Sequence, residues 1–261
     1  MSKVEVHPLF LFIALSSVLT GLFKEFIIMF SIIIIHEIGH LITAYYYKSN
    51  INKIYLYPFG GYISFGDKIN KPLKEEFLIL ISGPILQIIY FFIMLYLNYI
   101  SVISLNTYNI IINYHYTLLF FNMLPLFPLD GSKLINILLS KLTSFKLAHK
   151  IMLYISYIGI IFFLFTTKYI NFGMNLYLML SLLLVKVVKE SKNHKMVCNR
   201  FLLERYLYNF KFNKLKIISG SNLSKMMRDR RHLFIIGDKK VTEKDLLKQR
   251  YGKKGKDFTK N

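Results

Sequence analysis

Apolar residues in this chain fall in long unbroken runs, not in the three-to-four rhythm of a helix with one face in water. Six runs, at about 7–23, 26–47, 77–97, 108–127, 151–167 and 173–188, approach the 20 or so residues a bilayer core requires. They predict an all-α polytopic membrane protein of six transmembrane helices. Lys24-Glu25 alone separates the first two runs, so these form a tight antiparallel hairpin. The third run contains Ser82-Gly83-Pro84 and the fourth ends among Pro125 and Pro128. Helix breaks there are tolerated only where protein or a water-filled cavity surrounds the freed backbone. The apolar stretch after Lys3 has no small-residue cleavage site behind it and reads as a retained first span.

The pattern changes after residue 188. Residues 1–188 form the membrane domain, 189–212 read as a basic linker, and 213–261 read as a small cytoplasmic α/β domain. Within the last, Leu215–Ile218, Phe234–Asp238 and Val241–Leu247 predict strand, helix, strand, turn and a second helix capped by Thr242. Most of the formal charge of +20 lies after residue 185. Lysines also cluster between the second and third runs (Lys48, Lys53, Lys68, Lys71, Lys74) and after the fourth (Lys133, Lys141, Lys146, Lys150). Asn98–Thr107 carries none, and Lys168 stands alone near the fifth turn. Positive loops stay inside, so both termini are expected in the cytoplasm of a multi-pass cell-membrane protein. Lys186, Lys189, Lys192 and Lys195 follow the last run directly and suit anionic lipid. Arg228, Arg230 and Arg231, or Lys253, Lys254 and Lys256, have no recognition helix or aromatic platform beside them, so no nucleic acid partner is expected. Cys198 is the only cysteine, which excludes an intramolecular disulfide and gives no hint of a zinc ribbon.

Candidate chemistry lies in the second run, which contains His36-Glu37-Ile38-Gly39-His40. Residues four apart share a helix face, so both imidazoles can address one metal ion, with Glu37 beside them to handle a water proton. Ionisable groups at the centre of a bilayer helix cost about 2.5–3.5 kcal/mol each on insertion scales, and a bound zinc gives them a reason to be there. Catalytic zinc takes three protein ligands. Asp130, in Asn122-Met123-Leu124-Pro125-Leu126-Phe127-Pro128-Leu129-Asp130-Gly131, fits by membrane depth and apolar surroundings. Glu25 lies at the wrong end of its run, and Asp67, Glu75 and Glu76 lie in or beside a lysine-bearing loop. The alternative for Asp130 is a helix cap; the two positions can coincide. His115 lies nearer the outer end of its run and reads as a packing residue. His7, His149, His194 and His232 show no partner pattern.

With HEIGH followed by NMLPLFPLDG, and with Ser82-Gly83-Pro84 and Tyr57-Pro58-Phe59-Gly60-Gly61-Tyr62 between them, residues 26–131 resemble the site-2 protease family of intramembrane metalloproteases. The resemblance implies a regulated zinc endopeptidase with one Zn2+ per chain, held by His36, His40 and Asp130, with Glu37 catalytic. It also implies that Asn122 holds substrate backbone or oxyanion. Pro125 and Pro128 open the helix, freeing backbone groups with which a substrate strand could pair. Tyr57–Phe65 reads as a hairpin edge or as an interfacial turn. Six spans with a cytoplasmic tail look most like the sporulation branch of the family. That branch implies a sigma-factor precursor as substrate, regulatory membrane proteins as partners, and the mother-cell membrane around the forespore as location in a spore former. Its tail resembles a single unit of the cystathionine beta-synthase type, which would bind ATP through pairing of two chains. Two other readings stay open: a cytosol-facing membrane metalloprotease of another type, which draws its third ligand from a Glu, and an inactive membrane scaffold or metal carrier, which needs no Glu37.

Overall fold

A computed structural model describes residues 3–6, 8–57, 60–65, 69–166 and 174–252. It divides into two compact units, 1–67 with 75–124, and 68–74 with 125–261.

The first unit is built on α2 (Phe23–Tyr46). Its residues Ile32, Ile33, His36, Gly39, His40 and Ala44 are buried at helical spacing, while Ile34, Ile38 and Ile42 are exposed at intervals of four. An exposed isoleucine stripe opposite a buried histidine stripe is the inverse of a water-soluble amphipathic helix, and it suits lipid. Lys48 in the left-handed region, at φ +51°, ends the helix. Before it, α1 (Pro8–Leu19) packs Phe10 against Phe26 and Phe30, with ring centroids 5.6 and 4.8 Å apart. Gly21, at φ +75°, turns the chain between the two helices. α3 (Leu73–Tyr99) runs unbroken through Pro84, so the expected break is absent. Just before Pro84 the two helices come close: a Cβ on Gly39 would lie 2.4 Å from the Ser82 carbonyl oxygen, and Ser82 Oγ donates to the Gly39 carbonyl at 2.8 Å. α2 and α3 therefore meet backbone to backbone, as small residues permit in membranes. α4 (Leu105–Met123) starts at Ser104, whose hydroxyl accepts from the Thr107 amide.

The expected hairpin is present in the backbone: β2 (Ile51–Tyr57) pairs antiparallel with β3 (Gly60–Phe65), and its Pro58-Phe59 turn lies outside the described residues. A further strand, β1 (Lys3–Val6), pairs parallel to β2. The membrane region is thus mostly helical with a three-stranded sheet, which corrects the all-α expectation by adding β1 to the hairpin the sequence suggested.

In the second unit, residues 125–129 lead into α5 (Asp130–Leu142). The connection is pinned to α6 (Phe145–Thr166): Ser156 Oγ accepts from the Phe127 amide at 2.9 Å, and Leu126 is fully buried on Gly159. α7 (Met174–Leu207) continues through most of the stretch read as a linker, carrying exposed Lys186, Lys189, Lys192 and Lys195. His149 on α6 and His194 on α7 meet at 2.8 Å, and His149 also contacts Glu190. α2, α3 and α6 are the described helices long and apolar enough to cross a membrane; α1 has 12 residues, about 18 Å of rise.

The tail forms β4 (Lys214–Ser219), β5 (Arg230–Ile236) and β6 (Lys239–Thr242), then α8 (Glu243–Tyr251) with the expected Thr242 capping box against Asp245. β4 and β5 are parallel, and β5 and β6 close a hairpin at Gly237, φ +59°. The helix expected between the first two strands is only a 3-10 turn at Leu223–Lys225. Asn222 caps it, and the chain is extended again at Met226, leaving no length for an α-helix.

Arg205 organises this unit. It is buried and donates to Asn70 Oδ1 and to the carbonyls of Arg230 and Met227, while reaching Glu243 at 3.4 Å. Arg228, weighed above only as part of a nucleic-acid signal, is buried and donates to the Lys71 carbonyl. Burial alone would raise the Glu243 carboxyl, but the hydrogen bond from His232 and the charge of Arg205 outweigh it and hold it below its ordinary value. Its contribution to stability is therefore full above the unfolded carboxyl pKa of about 4.3 and is lost as pH falls through the lower folded value. Arg205→Met leaves the acceptors on Asn70, Met227 and Arg230 without their donor and half-buried Glu243 without its cation, and should cost roughly 3–5 kcal/mol in all. Limited proteolysis of the intact chain should then cut within residues 214–252; a tail as resistant as wild type would show that the network contributes little.

Candidate metal centre

Helical phase brings the two motif histidines together. His36 and His40 are 2 % and 5 % exposed, with Nε2 atoms 3.1 Å apart. The far side of each ring is committed. His40 Nδ1 lies 2.7 Å from the Ile79 carbonyl, which can only accept, so Nδ1 carries the proton. His36 Nδ1 lies 2.9 Å from Gln87 Oε1, again an acceptor. With Nδ1 as the donor in each, the neutral tautomer of either ring presents its Nε2 lone pair to the other. Two facing lone pairs at that distance repel unless a cation sits between them, and neutral imidazole Nε2 is a common metal donor. The residue closing this space is Gly83, where a Cβ would lie 2.4 Å from His40 Nε2 and 3.0 Å from His36 Nε2. The donor set and the room left by Gly83 fit a metal ion.

Glu37 follows His36 on the same helix and is half-buried. Asn122 is half-buried one residue before the end of α4. In the second unit, Pro128 is half-buried in the connection to α5. Asp130 is the first residue of α5, buried, with Lys133 Nζ 2.9 Å from its Oδ1. The cap position itself falls on Leu129, so Asp130 is not the N-cap. A carboxylate in the first turn of a helix is favoured by the helix dipole. His115 is buried and stacks on Phe91 with centroids 4.6 Å apart, in keeping with a packing residue.

The sequence reading missed Gln87. It is fully buried, and its Nε2 donates to the His115 carbonyl at 3.1 Å. Its signal was a lone amide in an apolar run, three residues beyond Ser82-Gly83-Pro84.

Comparison with known proteins agrees with this geometry. The family model described as peptidase family M50 matches residues 25–104. Stage IV sporulation protein FB of Bacillus subtilis is 36% identical over 208 residues, covering 78% of this chain and 71% of that protein. A zinc metalloprotease of Methanocaldococcus jannaschii is 35% identical over 123 residues, 44% of this chain and 34% of that protein. The solved site-2 protease from Methanocaldococcus jannaschii superposes with a TM-score of 0.59 at 27% identity, over 72% of this chain and 90% of that one. The HEIGH helix thus lies in a membrane protein that belongs to the site-2 protease family, peptidase family M50, the intramembrane zinc metalloproteases.

Proposed function

We propose that this chain hydrolyses a peptide bond in a membrane-associated regulatory protein near the cytosolic face, with zinc held by His36, His40 and Asp130. The observation that carries the reading is the pair of facing Nε2 atoms on a helix that also bears Glu37. The buried carboxylate of Asp130 at the start of α5 supports the third position. When bound, zinc acidifies a water molecule and polarises the scissile carbonyl. Glu37 takes the water proton on its carboxylate and returns it to the leaving amine. Asn122 holds the substrate backbone or the oxyanion, and the opened chain around Pro128 offers backbone groups to an extended substrate.

The similarity to a stage IV sporulation protein favours a sigma-factor precursor as substrate and the mother-cell membrane of a sporulating cell as location, with regulatory membrane proteins as partners. We infer six crossings with both termini cytoplasmic, the exposed lysines of α7 lying against anionic lipid. The tail's strand order and capped helix are compatible with a single cystathionine beta-synthase-type unit. Nothing among its described residues supports ATP, and that expectation is not carried further.

Asp130→Ala tests the third ligand. Zinc retained by the purified protein against a graded chelator should fall well below wild type; full retention would assign the third position to another residue.

A further inference from the structure

We propose that Gln87 is the positioning residue of the metal centre: it fixes which nitrogen of His36 is free to bind. The inference rests on the zinc reading above and deepens it. An amide can offer a ring either its oxygen or its nitrogen, and the two choices demand opposite tautomers. Here the choice is made from outside. Gln87 Nε2 lies 3.1 Å from the His115 carbonyl, which has no proton to give, so this end must be the NH2. The oxygen then faces His36, 2.9 Å from Nδ1, and takes the proton there. With Nδ1 protonated, His36 keeps its lone pair on Nε2, toward His40. A flipped amide would set NH2 against Nδ1, move the ring proton to Nε2 and close the position to a metal.

The setting is rigid. Gln87 is fully buried, and His115, whose carbonyl decides the orientation, is itself held by its stack on Phe91, one helical turn along α3 from Gln87. Three helices therefore converge on one proton: α2 supplies the ring, α3 the amide and α4 the carbonyl. His40 needs no such device, since the Ile79 carbonyl that receives its Nδ1 proton has no donor end to confuse. The asymmetry explains why one ligand has a backbone partner and the other a buried side chain with two distinct ends.

The two ends of Gln87 do separable work, which gives the test. Gln87→Met keeps the volume and removes both functions. Gln87→Glu keeps an acceptor for His36 and removes the donor to His115. Zinc affinity of the purified full chain, read by chelator competition, should fall about 10–100-fold in Gln87→Met, the usual consequence of removing the partner of a metal-bound histidine. In Gln87→Glu it should return to within a few-fold of wild type or better, while the melting temperature falls below wild type because two acceptors now face each other. A pure packing role predicts that zinc affinity follows the melting temperature in both variants. Wild-type zinc affinity in Gln87→Met, or equal loss in both variants, overturns the proposal; should Gln87→Met fail to accumulate, Gln87→Glu alone decides it by the same criterion. His36→Ala runs alongside: a wild-type chain without zinc, or His36→Ala with undiminished zinc, refutes the metal reading itself rather than the role of Gln87.

Discussion

Glu37→Gln is expected to stop cleavage of a co-expressed substrate while leaving the protein folded, inserted and loaded with zinc. The amide has nearly the same shape as the carboxylate, and Glu37 is half-buried on the face adjoining His36 and His40. What it loses is the capacity to take up a proton. Removing a positioned general base costs about 100- to 10,000-fold in rate, enough to make processing undetectable in most cellular assays. His36 and His40, the proposed zinc ligands, and their partners, Gln87 and the Ile79 carbonyl, are untouched by this change. Normal processing by the variant would remove Glu37 from the chemistry and reopen the scaffold or metal-carrier reading.

Gly83→Ala carries the second large expected effect, and by a different route. A methyl group at this position would sit 2.4 Å from both Cε1 and Nε2 of His40 and 3.0 Å from His36 Nε2. Neither ring can retreat without giving up its Nδ1 partner, which lies at 2.7 Å for His40 and 2.9 Å for His36. A displacement of about 1 Å at a catalytic centre costs on the order of 100-fold. The helix itself gains, since alanine is favoured over glycine in a helix interior by about 0.8–1 kcal/mol. That gain is smaller than the cost of overpacking two buried rings, about 1–3 kcal/mol, and loss of bound zinc lowers stability further; the variant should therefore melt below wild type while losing both zinc and activity. Equal zinc affinity in wild type and Gly83→Ala would show that the space beside Gly83 is not the metal position.

The helices and the site differed in how much the sequence revealed. HEIGH was legible because its chemistry depends on spacing along one helix, and burial of Ile33, His36, His40 and Ala44 on a single face follows directly from that spacing. Thr242 was legible for the same local reason. The partners of the histidines were not, since Gln87 lies 51 residues from His36 and the decisive carbonyl of His115 a further 28 from Gln87. β1 escaped notice because four residues of alternation carry little signal and its pairing is with residues near 53–56. His149 and His194 showed no partner pattern because they meet across 45 residues, between α6 and α7. Pro84 misled in the other direction: a proline that would break a soluble helix is carried within α3.

Fold and family establish a metalloprotease; the central claim about this chain is that His36 and His40 hold its metal through facing Nε2 atoms. Metal analysis of the purified full-length chain tests it most directly. Wild type and Glu37→Gln should each contain about one zinc per chain, the stoichiometry expected of a mononuclear catalytic site, and His40→Ala should contain little or none. Zinc at wild-type level in His40→Ala, or an active wild-type enzyme purified without zinc, would contradict it.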